Sequence, residues 1–235
     1  MAGNTGQQAP SARVYRIGRG AHPVLVIEQA VPGAETLIGA ASQLNFSRCG
    51  PFYPGIRAPA PPAYTDVIGR AYGELICKVF GWQNEGMQPM EADFSLVTTP
   101  PGELVRYQRL PHIDGTSPDT IAVLHYLCGP EKGGTGFFRH KATGLEALSD
   151  ETHQTYTDAL ETELSELGEP PQTYPGASAH YDEVARFDCV FNRMLIYRGN
   201  LLHSGLIPDD MPLSDDPARG RLTLNSFFRR GPQRA

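Results

Sequence analysis

The sequence predicts a mainly β protein whose core is a double-stranded β-helix (jelly roll, cupin-like), with flanking N-terminal helices and a helical insertion. The first observation is that the chain beyond Phe94 contains about eight short apolar or alternating runs separated by turn residues, a number that suits a two-sheet jelly roll. The second is the composition. In 235 residues, 25 glycines, 21 prolines and 40% hydrophobic residues indicate a loop-rich β protein without a simple repeat. Because a chain of this length can bury one such core, we treat 1–235 as a single domain.

Residues 13–90 are predicted to supply N-terminal strands and supporting helices, after a flexible terminus at 1–12. That terminus is polar and lacks the charged-then-apolar pattern of an export signal. The apolar run Val24 to Ile27 indicates a buried strand within an initial strand pair. Apolar residues at helical spacing predict two helices, Ala34 to Leu44 and Tyr64 to Phe80, which would brace the outer face of the major sheet.

A proline-rich segment, Pro51 to Pro62, separates the two predicted helices. We expect it to form an ordered arm packed on the sheet. The alternative is that its Tyr53 and Arg57 line the entrance to a substrate site.

The jelly-roll core is predicted to span 91–230, with an interruption at 143–181. The interruption is expected to be helical over Thr143 to Gly168 and to continue as a loop. The predicted strands are Phe94 to Thr98, Leu104 to Tyr107, Ile121 to Cys128, Thr135 to Arg139, Arg186 to Phe191, Met194 to Tyr197, His203 to Ile207 and Arg221 to Phe228.

Three residues form a candidate metal site. Side chains at i and i+2 of an extended strand point to the same side, so His112 and Asp114 can reach one cation while Ile113 packs the other way. For the third ligand we favour His203, which follows an apolar run and a turn; the rival, His180, lies in a loop. Two imidazoles and one carboxylate on one face of a metal suit non-haem iron(II) enzymes that handle dioxygen.

Four segments follow one another in a fixed order. They are Tyr107 with Pro111-His112-Ile113-Asp114, Val123 to Leu127 with Gly133 to Phe138, Asn192 to His203, and Gly220 to Leu224. In this order they resemble the 2-oxoglutarate and iron(II)-dependent oxygenase superfamily, in particular its prolyl-hydroxylase-like branch. The resemblance covers most of residues 94–229 and implies a single oxygenase domain in which His112, Asp114 and His203 hold iron(II).

The resemblance also implies a site for the cosubstrate. Arg221 would pair with the distal carboxylate of 2-oxoglutarate, whose other end chelates the iron, and Thr223 would add a hydroxyl. A guanidinium matches a carboxylate with two parallel hydrogen bonds, which explains an arginine at this position. Tyr126 is a second hydroxyl donor for the same carboxylate, or else a core tyrosine satisfied locally, and Tyr107 is a candidate contact for cosubstrate or substrate. Arg219 competes with Arg221, because an acidic, proline-rich stretch before both lengthens the family's usual spacing.

The implied function is an iron(II)- and 2-oxoglutarate-dependent dioxygenase that uses dioxygen to hydroxylate an unactivated C–H and releases succinate and CO2. The substrate would be an amino acid, a peptide or a small metabolite, and the insertion at 143–181 would form its mouth and control its choice. Asp114 argues against halogenation, whereas desaturation and ring closure stay open. The alternatives are a cupin-like metal-binding or sensing protein without turnover and a zinc-dependent hydrolase. Neither needs the carboxylate anchor that Arg221 and Thr223 supply.

Charge and cysteine usage bear on partners and location. The net charge of −6 argues against a general nucleic-acid binder, and no segment has the apolar length that spans a bilayer. The four cysteines are dispersed and form no C-x-x-C pair, which favours a reduced, cytoplasmic protein. We therefore expect a small-molecule or peptide substrate and neither nucleic acid nor membrane as partner, and the oligomeric state stays open.

Overall fold

Two antiparallel sheets pack against each other around a shared core in the computed structural model, which describes residues 9–232. The strands of this part of the chain are β1 Ser11–Ile17, β2 His22–Glu28, β3 Gly55–Pro59, β4 Met87–Val97, β5 Thr120–Tyr126, β6 Gly134–His140, β7 Tyr181–Asp188, β8 Met194–Arg198, β9 His203–Leu206 and β10 Leu222–Arg230. Its α-helices are α1 Glu35–Ala41, α2 Ala63–Phe80 and α3 Asp150–Leu167. None of these helices is both long and apolar enough to cross a membrane.

The sheets differ in size. The larger has seven strands in the order β1-β2-β8-β5-β10-β4-β3, and the smaller has three in the order β7-β6-β9. Beyond β9, residue 112 adds a single bridge to residue 203, so the smaller sheet ends in one paired residue instead of a fourth strand. The prediction of a mainly β, two-sheet protein is confirmed, but the described strands do not close into a barrel.

Helices α1 and α2 cover the outer face of the larger sheet, as predicted. The outward side chains of β4 and β10, among them Phe94 and Leu224, are fully buried with Ile68 and Ile76 of α2. Burying side chains of this size stabilises the fold by about 1.5–3 kcal/mol each. Helix α2 ends at Gly81, whose positive φ of 81° suits a residue without a Cβ.

The inner face of the larger sheet packs on β6 of the smaller one. Val24, Tyr126, Leu195 and Tyr197 alternate with the outward residues of their strands and meet Phe137 between the sheets. This apolar cluster fills one end of the space between the sheets, which leaves the other end to form a cavity.

Two strand predictions are wrong. The alternating run Leu104 to Tyr107 contains no strand; two short 3-10 helices, Pro101–Glu103 and Arg106–Arg109, occupy this segment. Val105 and Tyr107 are 50% and 60% exposed, so the alternating side chains that a strand would bury face solvent, and only Leu104 of this run is buried. The strand predicted at Arg186 to Phe191 lies earlier in the chain, as β7. Its pairing with β6 runs from Tyr181 to Asp188 and ends before residues 189–191.

The ends of other segments also differ from the prediction. Residues 1–8 of the predicted flexible terminus lie outside the described residues, and Ser11 and Ala12 already belong to β1. The proline-rich segment contains β3, the edge strand of the larger sheet, which the sequence did not predict as a strand. Helix α3 begins only after Ser149, whose backbone N–H donates a hydrogen bond of 2.9 Å to the Thr152 hydroxyl oxygen in a capping box.

Candidate metal centre

The bridge between His112 and His203 brings the predicted ligands together. Each of the two backbone N–H groups donates to the other residue's carbonyl at 2.9 Å, and the N–H of Asp114 donates to the carbonyl of Gly199 at 2.7 Å. Asp114 Oδ2 lies 3.6 Å from His203 Nε2, and Asp114 Oδ1 lies 4.0 Å from His112 Nε2. One potential ligand atom from each side chain lies within 4.8 Å of the others, a spacing that a single metal ion can bridge.

His203 is oriented for coordination by its own backbone surroundings. Its Nδ1 donates to the carbonyl of Leu201 at 2.8 Å, so Nε2 carries the free lone pair and faces Asp114. The ring is 5% exposed, and the ring centroid of Tyr197 lies 4.8 Å away. The tautomer and the ring position are therefore set by residues other than the metal.

The surroundings of His112 favour its neutral imidazole form. Partial desolvation by the surrounding protein, with Arg57 nearby, lowers the pKa of His112, whose side chain is 53% exposed. Desolvation raises the pKa of Asp114, against the lowering effect of the positive charge of Arg57. Neutral imidazole is the form that binds metals, and a bound cation would offset the penalty on the carboxylate.

The rival ligand His180 lies elsewhere. Its Nδ1 is 3.6 Å from a carboxylate oxygen of Glu163, which also accepts a hydrogen bond of 2.7 Å from Nε2 of His140. His180 is not part of the triad cluster among the described residues. The geometry thus favours His203 as the third ligand.

Arg221 is a buried cation in the same cavity, at 5% exposure. Its Nε donates to the carbonyl of Lys132 at 3.2 Å, and its Nη2 donates to the carbonyl of Gly134 at 2.9 Å. No carboxylate among residues 9–232 forms an ion pair with it, although the Cys189 thiol lies beside it: a hydrogen bond from Cys128 and the neighbouring Arg221 lower the pKa of Cys189 to about 7. Two carbonyls and one thiol do not use all five N–H donors of a guanidinium, so Arg221 can still bind an anion. The competitor Arg219 has a side chain that is 83% exposed and lies 3.6 Å from Asp216, outside the cavity.

Thr223 lies on the cavity wall with an unsatisfied hydroxyl. It is 1% exposed, and its Oγ1 has no hydrogen-bond partner in the described structure. The Tyr126 hydroxyl instead forms a hydrogen bond of 2.6 Å with Thr135 Oγ1, and the Tyr126 ring lies beneath Arg221 at 5.8 Å. Thr135, and not Tyr126, is among the lining residues, so a direct contact from Tyr126 to a cosubstrate stays a prediction.

The cavity has a volume of about 710 Å³ and joins the triad, Arg221 and Thr223 in one space. Tyr53 and Arg57 also line it, although β3 belongs to the edge of the sheet, so the segment is both a packed arm and a cavity wall. Several polar residues that line the cavity were not predicted from the sequence, namely Thr135, Tyr174, Tyr197, Asn225 and Ser226. A signal existed for Asn225, which follows Thr223 by two residues and therefore shares its face.

The mouth of the cavity combines exposed aromatic rings with the insertion. Tyr107 is 60% exposed and packs edge-on against Phe52, with ring centroids 6.0 Å apart. Helix α3 contributes five lining residues: His153, Tyr156, Thr157, Leu160 and Glu161. This position suits contact between Tyr107 and a substrate, and its predicted role toward the cosubstrate stays a prediction.

The sequence comparison identifies the family. Residues 8–228 match the family of unknown function DUF6445. The chain belongs to this family. Among curated proteins, none matches it in sequence.

Solved structures show what fold this DUF6445 protein has. HygX from Streptomyces hygroscopicus with nickel and 2-oxoglutarate bound is 14% identical, with a TM-score of 0.51 over 89% of this chain and 82% of HygX. HygX with nickel, 2-oxoglutarate and hygromycin B bound is 15% identical over the same shares, with a TM-score of 0.50. SnoN, a non-heme alpha ketoglutarate dependent epimerase from nogalamycin biosynthesis, is 10% identical, with a TM-score of 0.50 over 88% of this chain and 78% of SnoN. At these identities the likeness establishes the fold, and the prolyl-hydroxylase-like branch stays a prediction.

Proposed function

We propose that this protein is an iron(II)- and 2-oxoglutarate-dependent dioxygenase. The observation that carries the proposal is the buried Arg221, which pairs with no carboxylate of the described residues and lies in the same cavity as the His-Asp-His cluster. A buried cation is costly unless an anion pairs with it, so the site is built for an anionic ligand beside a metal. A passive metal-binding protein or a zinc-dependent hydrolase has no need for that second element.

The residues present fit both the metal and the cosubstrate. His112, Asp114 and His203 would hold iron(II), which when bound supplies the oxidation of 2-oxoglutarate by dioxygen to succinate and CO2 and the attack on the substrate. Arg221 would bind the distal carboxylate with its free N–H donors. The unsatisfied hydroxyl of Thr223 would donate to the same group.

The similar structures support this proposal through their ligands. HygX was solved with nickel and 2-oxoglutarate, and SnoN is described as an alpha ketoglutarate dependent epimerase. SnoN also indicates that this fold serves outcomes other than hydroxylation. We propose hydroxylation of an unactivated C–H in an amino acid, a peptide or a small metabolite, with residues 143–181 controlling which substrate enters.

The test separates binding from turnover. Protein loaded with iron(II) without oxygen should bind 2-oxoglutarate in a calorimetric titration, and admission of dioxygen should then produce succinate slowly even without substrate. A metal-loaded protein that does not bind 2-oxoglutarate would rule out the proposal. Binding of 2-oxoglutarate without any succinate would instead favour the sensing protein.

A further inference from the structure

Arg57 is a second arginine in the cavity wall, and in the described residues its guanidinium has neither an ion-pair nor a hydrogen-bond partner. Its Nε is buried without a hydrogen-bond partner, and no hydrogen bond or ion pair to its guanidinium occurs within residues 9–232. The guanidinium carbon lies 4.3 Å from the centroid of the Tyr53 ring. Stacking on an aromatic face holds the group in position and leaves its in-plane N–H donors free.

The strand register places Arg57 on the same face as the cosubstrate site. Arg57 pairs with Ser95 of β4, Ser95 with Thr223 of β10, and Thr223 with Tyr126 of β5, so the four residues form one row across the sheet. Ile56, the neighbour of Arg57, packs into the outer core. Since adjacent strands lie about 4.8 Å apart, Arg57 is about 10 Å along the row from Thr223.

Arg57 shares one cavity with the metal centre and the mouth. His112 and Asp114 line the same cavity wall as Arg57. The chain that leads into β3 carries Phe52, whose side chain is 68% exposed at the cavity mouth. Asp93 is the neighbouring acid on β4, opposite Pro59 instead of Arg57, and it forms no ion pair with Arg57 in the described structure.

The charges of the cosubstrate do not account for Arg57. 2-Oxoglutarate has two carboxylates, one for the metal and one for Arg221, and no third acid to offer. We propose that Arg57 binds an acidic group of the organic substrate, a carboxylate or a phosphate. This inference rests on the proposed function, because it assigns Arg221 to the cosubstrate. The edge-on pair of Phe52 and Tyr107 at the mouth would cover an apolar part of the same substrate.

The test uses three small ring compounds that differ in charge: benzoate, phenyl phosphate and neutral benzamide. Nickel-loaded protein saturated with 2-oxoglutarate is titrated with each, and binding is followed by ligand-observed NMR. We expect at least one anion to bind about tenfold more tightly than benzamide, because a charge-assisted pair replaces a neutral one. The stronger of the two anions tells carboxylate from phosphate recognition.

Variants assign the preference to Arg57. Arg57→Gln should bring the anions to within about twofold of benzamide while 2-oxoglutarate affinity is retained. Arg57→Lys should keep part of the preference, because it keeps the charge without the planar fork, and thermal unfolding of both variants checks the fold. Arg219→Gln, which removes an exposed arginine outside the cavity, should behave like the wild type.

Two results would overturn the inference. One is an anion preference that persists unchanged in a folded Arg57→Gln protein. The other is a loss of 2-oxoglutarate binding in Arg57→Gln as large as in Arg221→Gln, which would place Arg57 in the cosubstrate site. A wild-type protein that does not bind 2-oxoglutarate would refute the proposed function separately, since that titration does not involve the ring compounds.

Discussion

The inner end of the cavity and its mouth are held together by different kinds of contact. At the inner end, backbone hydrogen bonds fix His112 and Asp114, and backbone carbonyls hold Arg221. At the mouth, the insertion is tied to the preceding segment by ion pairs of Glu169 with Arg106 and Arg109, and the Glu169 side chain is 47% exposed. Backbone hydrogen bonds persist when side chains are substituted, whereas exposed ion pairs contribute little to the free energy of unfolding. The contrast indicates a constant chemical centre beneath a mouth that tolerates change.

The largest effect is expected from removing a proposed metal ligand at the inner end. His203→Ala should lower the affinity for iron(II) or nickel(II) more than about 100-fold, because even the loss of an outer hydrogen-bond partner of a ligand costs about 10–100-fold. Calorimetric titration of the folded variant with nickel(II) measures this directly.

His180→Ala is the matched control for this experiment. The two histidines are similarly buried, at 5% and 3% exposure, but His180 contacts Glu163 instead of the triad. Its replacement should leave metal affinity unchanged. Normal nickel binding by His203→Ala together with loss in His180→Ala would reverse the ligand assignment.

The second largest effect is expected at Arg221, the proposed anion-binding residue of the inner end. Arg221→Ala should weaken 2-oxoglutarate binding by about 2–5 kcal/mol, the range for a charged, hydrogen-bonded pair broken in a desolvated site, with metal affinity preserved. Titration of the nickel-loaded variants with 2-oxoglutarate measures it. Arg219→Ala serves as the control, and a loss there but not in Arg221→Ala would show that the wrong arginine was chosen.

The residues of the inner end could be predicted from the sequence because most of them lie in short motifs with a fixed spacing. His112 and Asp114 are two residues apart, and Arg221 and Thr223 have the same spacing. All four line the cavity, because side chains two residues apart in an extended chain point to the same side. Only the third candidate ligand, His203, required a contact across the fold. The single bridge between residues 112 and 203 supplies that contact.

The mouth was less predictable because long-range packing assembles it. Tyr174 shows this: it lies in the loop predicted after the helical part of the insertion, yet it is 6% exposed and donates a hydrogen bond of 2.5 Å to the carbonyl of Thr99. Its ring also lines the cavity. The segment around Tyr107 shows the opposite error: its alternation predicted a strand, but no strand of residues 9–232 pairs with it. Trimming the loop would therefore disturb the core, and a single side-chain change is the cleaner test of the insertion.

A pH experiment examines the support behind the inner end. His125 lies behind Tyr126 on β5, fully buried, and accepts a hydrogen bond from the Tyr64 hydroxyl at 3.1 Å while its Nε2 donates to Asn192 Oδ1 at 3.0 Å. Burial lowers the pKa of His125 to about 4. Between its unfolded value near 6.5 and about 4, the unfolded chain binds a proton that the folded chain does not, so stability falls as the pH falls.

The expected loss from His125 alone is about 3 kcal/mol between pH 7 and pH 4. Urea unfolding of metal-free wild type and of His125→Gln at both pH values isolates it, since every other titrating group is common to the two proteins. A pH dependence that is equally steep in His125→Gln would mean that another group causes it and that His125 does not serve as a neutral buried support.

The smallest effect is expected at the mouth, from Glu169→Gln. This change keeps the shape of the side chain and removes the ion pairs to Arg106 and Arg109, so the free energy of unfolding should fall by less than about 1 kcal/mol. The difference should shrink further at high salt, where exposed charges are screened. Glu166→Gln, a change at an exposed glutamate nearby in α3, is the control.

Affinity for nickel(II) and 2-oxoglutarate should match the wild type in both variants, because the inner end depends on backbone contacts that neither change touches. A clear loss of 2-oxoglutarate affinity in Glu169→Gln alone would show that the mouth and the inner end are coupled, and the division between a constant centre and a tolerant mouth would not hold.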